Sequence, residues 1–516
     1  MNWLMHWDPS GSEWTLAVVF LPLAGALLSF LLPRLAAVLG LGAAALTAAA
    51  ALGLTLEVMA EGPQRTALGG WGAPLGILWL ADGLSAALLA MTATVGAAVS
   101  VYATAYFRGV PGERAFFWPL WLLLWTALNA LFVSADLFNI YVTLELVGFA
   151  AASLTALGHG AAALSGAIRY LLVSVLGSLA YLLGIALIYQ GCGTVDIALV
   201  AERIGTAPRL AMQAALGAMF AGLLLKTALF PFHFWLPPAH GSAPAPVSAV
   251  LSALVVKASF YLLLRLWLDV LDGDGGRWLG ELLGVLGAAA VIWGSVLALR
   301  QRRLKLLIAY STVAQIGYFF IAFPLALAGE TAVWTGALYL ALAHGLAKAA
   351  MFMSAGSLMR FGRHDRIAEL DRAVQRLPVT LAAFTLAGVS IMGLPPSGGF
   401  IGKWLMLDAA FRQGRFGLAA VMLLGGVLAA GYVFKVVGYA FTPAQHEHRG
   451  LVVPAAMEWS ALLLAAAAIL LGLTMPLLAP LLQVETEPVA ALPWDVPAPA
   501  PICAQIAVPC MPPGAS

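Results

Sequence analysis

Residues Leu223–His240 read LLLKTALFPFHFWLPPAH. The stretch opens as an apolar helix that carries Lys226, meets Pro231, passes His233 and three aromatics, and stops at Pro237-Pro238 before His240. Proline takes a donor out of a helix and clashes with the preceding turn, so Pro231 should break the helix just beyond the lysine. A charge in a broken apolar helix is costly in a membrane and has to be held by the rest of the fold.

The surrounding chain has the composition of such a fold. Of 516 residues, 62% are hydrophobic and 10% charged, where a soluble chain carries about a quarter charged residues. Mean hydropathy is +0.94. Too few charges remain to cover a water-facing surface, and the expected class is an all-α polytopic membrane protein. A formal net charge of +2 gives no reason to expect nucleic acid as a partner. Cys192, Cys503 and Cys510 form no CxxC or Cys/His cluster, so neither metal nor cofactor is expected.

Fourteen candidate spans run from Trp14–Pro33 to Pro454–Leu482. Loops on one side of such a bundle carry thirteen Lys and Arg, against six on the other. The positive-inside rule then puts both termini outside the cytoplasm, in a bacterial-type inner membrane. The Pro/Ala-rich tail 484–516 lacks Lys and Arg and is expected to be a disordered extension.

Seven basic residues fall within spans: Arg169, Lys226, Lys257, Arg265, Lys348, Lys403 and Lys435. Five of the chain's six lysines are among them, whereas loop charge is almost all arginine. Desolvation can make a lysine release its proton, but arginine keeps its own. The segregation therefore suggests proton handling. Snorkelling from span ends accounts for Lys435, Arg265 and Arg169. Glu145 is the clearest deep carboxylate and needs a counter-ion; Asp82 and Asp136, near span starts, suit either helix caps or interfacial positions.

A second interrupted span, GLPPSGGFIGK, places Pro395-Pro396 and glycines before Lys403. Two broken spans in matching positions point to inverted repeats. The expected division is 1–107, a three-helix region; 116–268 and 279–441, two five-helix repeats; 454–482, a last span; and the tail. His344 and Lys348 lie one turn apart on one helix face, suited to a relay. His233 and His240 suit either a mouth for proton uptake or an interfacial belt with Phe232, Phe234 and Trp235. Tyr310, Gln315 and Tyr318 could hold water or bridge helices. A carrier for an organic solute would instead show a mixed polar and aromatic pocket at mid-membrane.

Glu145 in LFNIYVTLELVGF, Lys226 in the opening stretch, Lys257 in SAVLSALVVKASFYLLLR and Lys403 in GLPPSGGFIGKW resemble the antiporter-like membrane subunits shared by complex I, membrane-bound hydrogenases and Mrp-type cation/proton antiporters. STVAQIGYFF and HGLAKAAMFMSAGSL fit the same pattern, and the resemblance spans 75–441. It implies fourteen helices, a lateral proton path, a Glu145–Lys226 ion pair, Lys257 as connecting relay, Lys403 as terminal group, and work beside other membrane subunits. GGWGAPLGILWLADGLSA, Gly69–Ala86, is similar to the D-type subunit of Mrp antiporters, which implies sodium as the coupled ion. The alternative is a proton-pumping subunit of a complex I or hydrogenase type assembly.

Overall fold

The computed structural model describes residues 12–74, 76–271, 274–370, 373–443 and 451–482. The tail, with Cys503 and Cys510, lies outside the described residues, as does Arg449. Two long helices, α1 (Glu13–Leu31) and α2 (Ala36–Glu61), lead into a short antiparallel hairpin, β1 (Gln64–Ala67) and β2 (Leu78–Ala81), in which Gln64 faces Ala81. No sequence pattern above predicts this hairpin. Then come α3 (Gly83–Tyr106), α4 (Pro111–Val133), α5 (Leu137–Ala156), α6 (Gly160–Cys192), a short α7 (Ile197–Arg203) and α8 (Arg209–Thr227). Asp82 and Asp136 cap α3 and α5, accepting from Ser85 N at 2.9 Å and Asn139 N at 2.6 Å. Each carboxylate satisfies a donor that a helix start leaves free.

The opening stretch breaks where its proline predicts. α8 ends at Thr227, Ala228 takes a left-handed conformation (φ 59°, ψ 37°), and a tight turn over Phe232–Trp235 leads to α9 (Leu236–Ser242). The indole of Trp235 folds back and donates to Leu225 O at 2.9 Å, a carbonyl to which the break leaves only a 3.3 Å bond from Ala228 N. α10 (Ala245–Val250) continues through a π turn, Leu251–Val255, into α11 (Val256–Arg265). The later helices are α12 (Asp274–Arg300), α13 (Leu304–Ala326), α14 (Thr331–Gly362), α15 (Ala373–Arg376), α16 (Pro378–Met392), α17 (Gly398–Arg412), α18 (Phe416–Ala440), α19 (Ala455–Leu470) and α20 (Met475–Leu482).

Among the described residues, thirteen helical segments are long and apolar enough to cross a membrane. The expected twelfth span of fourteen is instead a pair of fifteen-residue helices, α16 and α17, neither of which reaches across alone. Gly393 ends α16 in the left-handed region (φ 83°), and Ser397 caps α17 by accepting from Phe400 N at 3.2 Å. The break is thus built from a terminator and a starter side by side. The segment from α10 to α11 and the centre of α14 are wholly buried, and α13 nearly so. Helices α1, α2, α18 and α19 present much of their apolar surface outward, as lipid-facing helices do.

Two close crossings fix the broken helices. A Cβ on Gly222 of α8 would lie 2.3 Å from Gly177 O of α6, and one on Gly177 would lie 2.8 Å from Gly222 O. The same reciprocal contact joins Gly402 of α17 and Gly336 of α14, at 2.7 and 3.1 Å. Without side chains the backbones touch, which is how helices gain packing energy where lipid offers no hydrophobic contrast. Gly222→Val should destabilise the protein by about 1–3 kcal/mol through overpacking. Gly217→Ala, on the same helix with open space at its Cβ, should be neutral or slightly stabilising. Thermal unfolding of the two purified variants checks this.

Candidate functional site: a row of buried lysines

Lys226 is 8% exposed on the last turn of α8. Its ammonium donates to Ser174 Oγ of α6 at 2.9 Å. Glycines make the room: a Cβ on Gly148 of α5 would sit 2.3 Å from Ser174 Oγ, and one on Gly177 would sit 3.0 Å from Lys226 Cγ. Glu145 of α5 is half-buried and within charge range of Lys226, but no ion pair joins them. Its Oε1 is buried with no hydrogen-bond partner among the described residues. The direct contact implied by resemblance is therefore replaced here by a hydroxyl. A cavity of about 20 Å³ beside Lys226 is bounded by Leu144, Tyr170, Ser174 and, on the far side, Ala258 and Ser259 of α11. One water fits such a volume. It lies between Lys226 and the helix of Lys257.

Lys257 is 1% exposed and donates to Ser252 O, a carbonyl of the π turn, at 2.5 Å. Lys348 of α14 is fully buried and bonds Ile308 O at 3.1 Å and the Ser311 hydroxyl on α13. His344, one turn earlier, has both ring nitrogens unpartnered among the described residues and packs edge-on against Phe319. It is within charge range of Lys257, Lys348 and Lys403. Lys403 of α17 donates to Ile391 O at 2.8 Å, at the C-terminal end of α16, with its ammonium 4.3 Å from the centroid of the Tyr318 ring. A helix C-terminus and an aromatic face both favour a cation. Tyr318 in turn donates to Met422 O of α18 at 2.8 Å, so it bridges helices, as does Gln315 towards Tyr432.

Four readings change. Lys305, counted from sequence as a loop charge, is 2% exposed on the first turn of α13 and donates to Ala243 O. All six lysines thus lie in these helices, and among the described residues the loops hold no lysine. Arg265 does not snorkel: it pairs with Asp82, takes a bond to Tyr261 OH at 3.0 Å and lies within 4.0 Å of Asp269. Lys435 caps the end of α12 through Leu299 O at 2.8 Å and Gln301 O at 2.7 Å. His240 is 1% exposed and stacked on Phe352, which removes it from any interfacial belt. His233, half-buried against Phe230, and the exposed Arg169 and Phe234 keep an outward position. Pro231 and Pro395-Pro396 stand in the two breaks, and both Phe230–Pro231 and Pro395–Pro396 are cis.

The fold and its lysine row define an antiporter-like membrane subunit. Residues 134–429 match the family described as NADH:quinone oxidoreductase/Mrp antiporter, TM, and the chain belongs to that family. NADH-quinone oxidoreductase subunit N of Desulforudis audaxviator is 33% identical over 93% of this chain and 98% of its own. The Na(+)/H(+) antiporter D-type subunit of Bacillus subtilis is 29% identical over 80% of this chain and 85% of its own. Among solved structures, a chain of the archaeal membrane-bound sulfane sulfur reductase superposes with a TM-score of 0.84 at 26% identity, covering 91% of this chain and 96% of that one. A chain of the Mrp complex from Dietzia sp. gives 0.82 at 24% identity, covering 91% of this chain and 96% of that one.

Arg265→Met should cost about 1–3 kcal/mol, because it leaves the half-buried Asp82 without its charged partner. Adding Asp82→Asn, which keeps a capping side chain, should recover most of that loss in the same unfolding measurement.

Proposed function

We propose that this chain is the proton-translocating subunit of a multisubunit cation/proton antiporter, with sodium as the coupled ion. The carrying observation is the row Lys226, Lys257, Lys348 and Lys403, held by hydroxyls and carbonyls instead of carboxylates. A structural ion pair would use a carboxylate, and arginine would serve it as well as lysine. A carbonyl or hydroxyl oxygen accepts from a neutral amine as it does from an ammonium, so these sites suit both protonation states.

In this mechanism Glu145 governs Lys226. Bringing the carboxylate close favours the ammonium; withdrawing it sends the proton across the small cavity to Lys257. The proton continues through Lys348 and His344 to Lys403, which exchanges with one aqueous face. His240, within charge range of Lys305, Lys348 and Lys257, connects the row to the loop side, and His233 marks the outer edge of the first break. The units 116–268 and 279–441 act as inverted repeats, a reading supported by the matching glycine crossings beside Lys226 and Lys403. The arginine-rich loops face the cytoplasm of a bacterial cell membrane, and both termini face out. Other membrane subunits complete the assembly, as the names of the relatives suggest.

A second reading has its own support. The relative matched over 93% of this chain carries the name of a quinone oxidoreductase subunit. There the same relay would be driven by a redox partner, and this polypeptide would bind no redox centre.

Everted vesicles containing the whole complex and a pH-sensitive dye test the proposal. Glu145→Ala and Lys226→Ala should each abolish sodium-dependent proton movement. Lys348→Arg should do the same although it keeps the charge, since arginine holds its proton. Normal flux in these variants would sink the relay. Sodium-independent flux that appears only with quinone reduction would favour the second reading.

A further inference from the structure

Lys257 and Lys348 stand on different helices, and the structure contains more than empty distance between them. Lys257 is bonded to the carbonyl of Ser252. The hydroxyl of that same residue lies 2.9 Å from Thr312 Oγ1 on α13. Thr312 Oγ1 bonds Ile308 O at 3.0 Å, the carbonyl that also takes Lys348 Nζ at 3.1 Å and Ser311 Oγ at 2.8 Å. Three side-chain donors therefore converge on one oxygen that has two lone pairs and a place in the helix ladder. The donors outnumber the acceptor, so the hydroxyl hydrogens have to rearrange with the charge on Lys348.

Buried serines and threonines in helices ordinarily satisfy themselves on the carbonyl one turn back. Ser311 and Thr312 do so. Ser252 does not: its hydroxyl has Thr312 as its one side-chain partner among the described residues. It sits in the π turn Leu251–Val255, where one extra residue per turn alters which side chains face α13. Both hydroxyls are inaccessible to solvent.

We propose that Ser252 and Thr312 form a hydroxyl bridge that carries protons between Lys257 and Lys348. The proposal rests on the relay reading above. Each hydroxyl takes one proton and gives up another, so the net change is an ammonium converted to an amine at Lys257 and the reverse at Lys348. Lys257 Nζ is bonded to the Ser252 carbonyl and not to its hydroxyl, so the first transfer needs Ser252 Oγ to turn from Thr312 towards the lysine. At the other end Thr312 and Lys348 both donate to Ile308 O, which takes up no proton itself, so the last transfer needs Thr312 Oγ1 to turn from that carbonyl to Lys348 Nζ. Thr312 and Ser252 pass protons in this scheme without holding charge, and the lysines remain the titrating groups.

The test uses the assembled complex in the same vesicles. Thr312→Val keeps shape and removes the hydroxyl; Ser252→Ala removes one oxygen. Each should lower the maximal antiport rate by about a hundredfold or more, the lower end of the range for a positioned proton-transfer group. The pH of half-maximal activity and the level of assembled complex should stay unchanged. Thr312→Ser, which restores a hydroxyl, should return the rate to within about twofold of the parent. Full rates in both Thr312→Val and Ser252→Ala overturn the bridge. Where Thr312→Val fails to assemble, the rate of Ser252→Ala decides. Glu145→Ala is the internal reference. If it retains activity, the relay reading itself falls; if it is inactive while both hydroxyl variants run at full rate, only the bridge falls.

Discussion

The cost of a charge away from water organises this molecule. A lysine at the centre of a bilayer helix costs about 2.5–3.5 kcal/mol on insertion scales, and this chain places all six of its lysines in apolar helices. Each has to be given an acceptor by a neighbouring element. The acceptors are a serine on α6, a carbonyl of the π turn, a carbonyl at the end of α9, the Ile308 group on α13, the end of α16 and the end of α12. Most of these are backbone groups freed where a helix stops or is deformed. Interruption of the helices and solvation of the lysines are therefore one device: a break leaves carbonyls without partners, and an ammonium without water finds them. Trp235 closes the first break where no lysine does.

This arrangement separates structural ionic contacts from the lysine row. Every carboxylate ion pair among the described residues uses arginine or histidine. Arg265 and Asp82 tie α11 to the start of α3, Arg303 and Asp365 join two loops, and Arg415 holds Glu281. Such pairs fix geometry because their charges do not change. The lysines are left with neutral partners, and several lie within charge range of one another. Adding a proton to one disfavours a proton on the next.

Much of this was legible in the chain because the signal is local. An apolar run of about 20 residues with one charge stands out at once, and so does a proline a turn later; Glu145, Lys226, Lys257, Lys348, Lys403 and both breaks were found that way. What stayed hidden depends on contacts distant in sequence. Ser174 is an ordinary helix serine until α6 crosses α8. Gly148 and Gly177 resemble any glycines in a glycine-rich chain. Arg265 read as a snorkelling end group because its partner is 183 residues away. Lys305 read as loop charge because it follows Arg302 and Arg303 in sequence, yet one turn of helix carries it under the surface. The hairpin was missed because four-residue strands carry too short a pattern to stand out.

The reciprocal glycine crossings set how such a machine can move. Where two backbones touch at Gly177–Gly222 and again at Gly336–Gly402, neither helix pair can slide or roll without carbonyl striking carbon. The helices that carry Lys226 and Lys403 are thus pinned like the two ends of a bridge deck. Travel is left to the four-carbon stems of the lysines, to rotating hydroxyls and to the few residues of each break. Around Lys226 and Lys403 the packing leaves small displacements between fixed stations.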